Sequence, residues 1–438
     1  MPRNPKVYLI LIFVFLVLCA LPPSGMRRAH AESTDAAYKL LVQEMLDQVD
    51  PGSVQNLIAE LSGAQQVIIA GQPYTIETRA ALSGEPAALA AQYLFQFYED
   101  LGLQVEYKPF SFMENTLNNI IAQKNGSIFP ERIFLITSHY DDVPVTGPAP
   151  GADDNASGTA GVMLAAKILN QYDFGCTLRF VNFGAEEYGL IGSKDYAQKA
   201  YCSGEDIQGV INLDMIAWNT PGSSPNMDLH ALSSIPGSNQ LAITFQDVVS
   251  EYNLDLIPEL ADPVTTRSDH ASFWRYEVPA ILVSEDWEDF NPHYHTSDDD
   301  LESLQDIDYF TSMIKASLGT LAQEGCLVEG GWGTISGQVV DSQTLQPVPG
   351  TSVWLNNPGW DFTQFTRSDS NGNYQFTALA GWNTLTVDGL GYTRSELDVL
   401  ILKNQDLEQS IQVETLSESA IYLPLSANIR HAPLPGCP

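Results

Sequence analysis

The sequence predicts an α/β domain with a mostly parallel central sheet and helices on both faces, followed by a small all-β sandwich. Three observations carry that expectation. Short apolar runs alternate with amphipathic stretches through the first three quarters of the chain, which is the pattern of a sheet covered by crossover helices. The helical period then disappears after the glycine-rich break Glu329-Gly330-Gly331-Trp332-Gly333. Finally, histidines and carboxylates recur just after the apolar runs, at the rim where open parallel sheets bind ligands.

The elements follow in order. Arg3 and Lys6 precede the apolar run Val7 to Leu21, and Ala29-His30-Ala31 offers a small-x-small cleavage site. Residues 1–31 are therefore read as a secretory signal peptide, in preference to an uncleaved membrane anchor. Ala36 to Val49, Ser53 to Leu61 and Ala87 to Leu101 show apolar positions at helical spacing, the last ended by Gly102. Strands are expected at Gln104 to Tyr107, Asn118 to Gln123, Ile133 to Thr137, Leu178 to Phe183, Val210 to Leu213 and Ala280 to Val283. Helices are expected at Thr159 to Leu169, Ile191 to Ala200, Gln240 to Tyr252 and Asp306 to Gln323, with a short segment at Asp269 to Trp274. These elements make up a domain over residues 32–328. Short alternating runs at Thr334 to Val340, Ser352 to Leu355, Tyr374 to Phe376 and Thr384 to Val387, separated by turns such as Asp369 to Asn373, give the sandwich over 333–415. Residues 416–438 form a tail.

Composition limits the partners. The chain has 20 basic and 54 acidic residues, a net charge of -34. Loss of Arg3, Lys6, Arg27 and Arg28 with the signal peptide would leave 16 basic residues against 54 acidic. That sign argues against nucleic acid and anionic lipid as partners. Cys176, Cys202, Cys326 and Cys437 survive processing, an even number suited to two disulfides in an exported chain. Cys176 with Cys202 is the favoured pairing, since both fall near one edge of the expected sheet.

The chemistry gathers at separate rim positions. His139 and Asp154, the Glu186-Glu187 pair, Asp214 and His295 each follow an apolar run or lie in the loop after it. Taken singly, each is as well explained by a turn or a solvated loop. Together they match what two dications need, namely one shared carboxylate and further ligands for each. Asp154 is the candidate bridge, with His139 and Asp214 on one metal and Glu187 and His295 on the other. Imidazole and carboxylate without thiolate suit a catalytic zinc site. Glu186 is then free to act as a general base on a bridging water. Asp141, two residues beyond His139, is the candidate to orient that imidazole, with Asp142 competing.

The segments SHYDD, PGADDNASG, FGAEEYGLIGS, NLDM, SDHASFW and NPHYHTSDD, in this order, resemble the secreted bacterial leucyl aminopeptidases and their relatives, the di-zinc exopeptidases of peptidase family twenty-eight. The resemblance runs from about residue 36 to 325. It implies the zinc aminopeptidase fold and two zinc ions held by His139, Asp154, Glu187, Asp214 and His295. It also implies Glu186 as base and a cis peptide between Asp154 and Asn155. The implied reaction is hydrolysis of the amino-terminal peptide bond by a bridging hydroxide, with peptides as substrates. Before Ser268, where some relatives carry a disulfide and a tyrosine that helps hold the transition state, this chain has Asp262-Pro263-Val264-Thr265-Thr266-Arg267. Arg267 is read as a surface ion-pair partner, or else as a contact for a substrate carboxylate or carbonyl oxygen. Met215, Trp218, Phe273, Trp274 and Trp287 are read either as a side-chain pocket or as core.

The segments SGQVVDSQTLQPVPGTSVWL and TRSDSNGNYQFTAL are similar to the transthyretin-like regulatory domain appended to many carboxypeptidases. No catalytic equipment is apparent there, so a stabilising role competes with cell-surface or polymer contact. The alternatives for the whole chain are a glutaminyl cyclase-type transferase with one zinc, a carboxypeptidase or dipeptidase on the same fold, and a non-enzymatic surface-binding protein.

Overall fold

The computed structural model describes residues 38–143, 149–328, 330–360, 362–389 and 391–416. The expected signal peptide and the tail beyond residue 416, with Cys437, lie outside the described residues.

Helix α1 (38–47) is followed by α2 (Pro51–Leu61), whose start is set by Asp50: its carboxylate accepts from the Ser53 amide, and Pro51 opens the first turn. A small hairpin, β1 (Val67–Ile69) and β2 (Gln72–Tyr74), leads to α3 (Glu85–Asp100). The sheet is then built by β3 (Gln104–Phe112), β4 (Asn115–Lys124) and β5 (Phe129–His139), with α4 (Gly158–Leu169), β6 (Cys176–Phe183), α5 (Ile191–Ser203) and β7 (Asp206–Leu213). Next come β8 (Asn226–Ala231), α6 (Pro236–Glu251), β9 (Ile257–Leu260), α7 (His270–Trp274), β10 (Ala280–Glu285) and α8 (Ile307–Glu324).

Strand order in the eight-stranded sheet is β3-β4-β6-β5-β7-β10-β8-β9. The central four, β6-β5-β7-β10, are mutually parallel, whereas β4 joins β6 and β8 joins β10 antiparallel. The sheet is thus mixed, with a parallel centre. Successive residues of β5 alternate between the two faces. Phe134 and Ile136 enter the larger core under α1, α2, α4, α6 and α8, while Ile133 and Leu135 enter the smaller one under α5 and α7. Both faces being covered is what makes these strands read as unbroken apolar runs.

Cys176, the first residue of β6, is bonded to Cys326 just beyond α8, with their Cα atoms 5.4 Å apart. This corrects the expected Cys176–Cys202 pairing. The end of α8 returns to the start of β6, where the Gly175 amide donates to the Cys326 carbonyl, while Cys202 lies at the far end of α5.

The second domain packs two sheets. One is β14 (Asn373–Leu379), β11 (Trp332–Asp341) and β17 (Asp406–Glu408), with β18 (Ile411–Val413) beside β11; the other is β13 (Phe362–Arg367), β12 (Ser352–Asn357), β15 (Gly381–Asp388) and β16 (Ser395–Ile401). Val353, Leu355, Leu385, Val387, Val399 and Ile401 point inward from the second sheet onto Ile335, Val339 and Phe376 of the first. Ile128 and Val328 of the first domain meet Leu379 of the second, and the Phe129 and Phe362 rings pack edge to face at 5.4 Å.

Candidate metal centre

All four parallel strands end at one rim, and each delivers part of the site. His139 is the last residue of β5, Glu186 and Glu187 follow β6, Asp214 follows β7, and His295 lies in the loop after β10. Asp154 sits in a π turn, Ala152–Ser157, that opens into α4. Its peptide bond to Asn155 is cis.

The turns themselves are shaped for this. Ala185, Met215 and His295 have φ of 57°, 56° and 58°, a left-handed backbone that non-glycine residues adopt at a cost, and all three stand within or beside the cluster. Gly158, at the start of α4, has a different constraint. A Cβ there would come within 2.4 Å of the Leu213 carbonyl oxygen, so only glycine lets the turn lie this close to the end of β7.

The side chains converge. His139 Nε2 lies 3.3 Å from Asp154 Oδ1 and 3.2 Å from Asp214 Oδ1; His295 Nε2 lies 3.1 Å from Asp154 Oδ2 and 3.0 Å from Glu187 Oε2. Three donor triads result, His139-Asp154-Asp214, Asp154-Glu187-His295 and His139-Glu186-Glu187, each with its donor atoms within 4.8 Å of one another. Asp154 belongs to the first two, one oxygen to each. Glu186 belongs to the third alone, with its Oε2 4.0 Å from His139 Nε2.

The surroundings set the charges. Burial pushes the Glu187 carboxyl up to about 8, with Asp154 adding to it, and burial likewise raises Glu186 well above the usual range. Burial works against a charged His295, yet Asp154 and Glu187 raise it to about 9; His139 is raised in the same way by Asp214, Glu186 and Asp154. Burial also acts on Asp154, but the imidazoles of His139 and His295 outweigh it and hold that carboxyl below its ordinary value. Protons on the histidines thus stand in for positive charge that the carboxylates require. Although buried, Glu187 Oε1 and His295 Nε2 make no hydrogen bond. Donors that are close together yet not bonded to one another fit a cation placed between them. With two imidazoles among carboxylates and no thiolate, a borderline dication fits this set better than calcium, which takes oxygen alone.

Asp141 does contact the His139 imidazole, but through its backbone and not its carboxylate. His139 Nδ1 contacts the Asp141 backbone carbonyl at 3.1 Å, and the nearest Asp141 carboxylate oxygen is farther, at 3.7 Å. That carboxylate instead accepts from the Glu186 amide at 3.0 Å and the Glu187 amide at 3.4 Å, so it holds the turn that presents both glutamates. Asp142 does not compete for His139; it accepts from the Thr78 hydroxyl and the Arg79 amide.

Sequence reasoning did not find three supports. Arg79, fully buried, donates to the carbonyls of Leu61, Tyr140, Pro150 and Gly151 and so clamps the segments on both sides of the loop between β5 and the π turn. Asp299 accepts from the amides of Asp153 and Asp154, and Asp153 from the Ala217 amide and the Asn291 side chain. Asp299 lies within the NPHYHTSDD segment, whose density of acids was the available signal. Arg79 gave none.

A cavity of about 670 Å³ opens over the cluster, within the range of small-molecule sites. Met215, Leu282, Trp287, Phe290 and Tyr294 supply its apolar wall. Of the five residues considered for this role, Met215 and Trp287 take it, while Phe273 and Trp274 are buried in the smaller core under α5 and α7 and do not line the cavity. Trp218 packs against His293 and does not line the cavity. Tyr294 stacks on His295 at 3.6 Å; burial beside the carboxylates pushes its phenol up, so it keeps its proton as a donor. It supplies a phenol at the site from a loop other than the one before Ser268. Arg267 also lines the cavity and is exposed, and no ion-pair partner for it exists among the described residues, contrary to the surface-pair expectation.

A parallel-centred sheet with imidazole and carboxylate donors gathered at its carboxyl edge defines an α/β metal-site domain. Residues 119–316 match the model of peptidase family M28, and residues 334–414 match the carboxypeptidase regulatory-like domain. The chain therefore carries a peptidase family M28 domain followed by a carboxypeptidase regulatory-like domain. It is 30% identical over 226 residues to a probable leucine aminopeptidase of Trichophyton verrucosum, covering 47% of this chain and 57% of that one. It is 28% identical over 248 residues to a probable zinc metalloprotease of Pyrenophora teres f. teres, covering 47% and 51%. The alignment thus spans little more than half the length of these relatives. Among solved structures, LapA of Legionella pneumophila shares the fold, with a TM-score of 0.55, 20% identity, and coverage of 65% of this chain and 75% of LapA.

Proposed function

We propose that the protein is an exported zinc-dependent aminopeptidase that holds two zinc ions and cleaves the amino-terminal residue from peptides. The observation that carries this is the division of donors around Asp154, one oxygen facing each of the two triads that share it, with Glu186 outside those two and beside His139. The peptidase family M28 domain and the names of its relatives support the reaction class. The apolar segment near the amino end and the Cys176–Cys326 disulfide support export to an oxidising compartment.

His139, Asp214, Glu187 and His295 would hold the ions, and Asp154 would be shared. Bound there, zinc supplies a Lewis acid for the scissile carbonyl and an acidified water. Glu186 takes the proton of the attacking water as the oxygen bonds to the carbonyl carbon, and returns it to the departing amine nitrogen as the C–N bond breaks. Tyr294 donates to the carbonyl oxygen as its charge grows. The carboxylate cluster offers the substrate's free amino group a counter-charge, which restricts cleavage to a chain end. The apolar wall takes an apolar first side chain.

Glu186→Gln tests the base. It keeps the metal content of the parent and lowers kcat on leucine p-nitroanilide by roughly 10²- to 10⁴-fold; an active variant refutes the assignment. His295→Ala loses metal as measured by atomic emission, and activity of the parent disappears with chelator and returns on adding zinc. Hydrolysis of a carboxyl-blocked peptide with refusal of an amino-blocked one separates an aminopeptidase from a carboxypeptidase.

A further inference from the structure

The cavity over the cluster is not uniformly acidic. Besides the carboxylates it is lined by two exposed cations, Arg267 and Lys194, and neither pairs with a carboxylate among the described residues. In a chain with 54 acidic residues against 20 basic, unpaired cations facing a carboxylate-rich cavity call for an anion that the protein does not itself supply. Lys194 belongs to the first turn of α5, where among the described residues its ammonium donates only to the Gly189 carbonyl, at 2.9 Å.

Arg267 stands on a fixed loop. The Thr265 amide donates to His230 Nδ1 at 3.2 Å, the Thr265 carbonyl lies 3.1 Å from His270 Nε2, and the Arg267 amide donates to the Thr265 hydroxyl at 3.2 Å. The next residue, Ser268, donates its hydroxyl to Asp214 Oδ2 at 2.5 Å. The guanidinium is therefore carried one residue from a side chain bonded to the donor cluster, on a backbone braced by two buried histidines. Such bracing reduces the ordering cost of recognising a ligand.

We infer that Arg267, with Lys194 assisting, is a specificity residue that binds a substrate carboxylate beyond the scissile bond. This rests on the aminopeptidase reading of the same site. The carboxylate end of the cavity receives the ammonium of the substrate and the cationic groups receive its carboxylate, so the site fits a short zwitterionic peptide. Guanidinium is suited to the task because its planar fork meets both carboxylate oxygens. The carboxylate comes either from the chain terminus of a dipeptide or from an acidic second side chain.

Two substrate pairs distinguish these sources: leucyl-glycine against leucyl-glycinamide, and leucyl-glutamate amide against leucyl-glutamine amide. The parent favours the carboxylate-bearing member of at least one pair by roughly tenfold in kcat/KM, expressed through KM, as a charge-assisted contact gives. Arg267→Gln reduces that ratio to about twofold, Lys194→Gln reduces it less, and Arg267→Lys, which keeps the charge but loses the fork, gives a ratio between those of the parent and Arg267→Gln. A structural role would lower both members of a pair alike and leave the ratio unmoved. Ratios below twofold in the parent, or ratios unaffected by Arg267→Gln, overturn the assignment while leaving the aminopeptidase reading intact. A parent that cleaves none of the four removes both.

Discussion

Asp141 shows how a single carboxylate can serve a site without touching what is bound there. By accepting from the amides of Glu186 and Glu187 it fixes two consecutive glutamates to which the proposed mechanism gives different tasks. Asp141→Asn removes the charge and offers a donor where two amides already donate, so one contact is lost. The expected outcome is a fall in kcat of roughly tenfold, by misplacement of a reacting group, with KM less affected; an unchanged kcat would show that the turn holds itself. Tyr294→Phe is expected to lower kcat by a similar factor while zinc content stays at the parental level, because in the proposed mechanism the phenol would donate to the substrate carbonyl and would hold no metal. Each donor in the two triads that share Asp154 could be named from sequence because each follows an apolar run. Asp141's actual contact could not, because two residues' separation from His139 says nothing about which of its oxygens faces which neighbour.

At the scale of elements, the parallel strands and the β3–β4 edge were legible, and the β8–β9 edge was not. β5, β6, β7 and β10 are buried on both faces and read as apolar runs, whereas β8 and β9 carry Asn226, Asp228 and Glu259 and one of them contains a proline. The loop from Thr265 to Ser268, which is not a regular element, depends on two buried imidazoles. Burial lowers His230 to about 4 and His270 to about 3, so both are neutral in the folded protein and would be protonated near pH 6.5 once unfolded. The unfolded chain then binds more protons below pH 6.5, and stability contributed by the two groups is full above that value and lost as pH falls towards about 4, on the order of 3 kcal/mol for each. Urea unfolding at pH 7, 5.5 and 4.5 checks this: His230→Asn is expected to flatten the acid limb relative to the parent, and parallel curves would contradict it. Arg79 is a second such brace. Arg79→Ala leaves Asp142 without its counter-charge and four carbonyls without a donor, and is expected to cost about 3–5 kcal/mol in the same measurement.

Across the whole molecule, the two domains meet through a small apolar patch rather than through the metal centre. Ile128, Phe129 and Val328 lie on the side of the sheet where β5 begins, and the donors lie where it ends. From Phe129 to His139, β5 lies alongside the eight residues Cys176–Phe183 of β6, or about 23 Å at the usual rise of a strand, so the sandwich docks away from the donors. A contribution to stability therefore does not require one to catalysis. Leu379, 3% exposed and set between Ile128 and Val328, makes the separation testable, since an aspartate there is buried without a partner. Leu379→Asp is expected to lower the thermal midpoint of the parent and to split unfolding into two transitions, while kcat/KM on leucine p-nitroanilide at 25 °C stays within twofold. Loss of turnover in a variant whose first domain remains folded would instead show that the sandwich acts on the site through the strand that joins them.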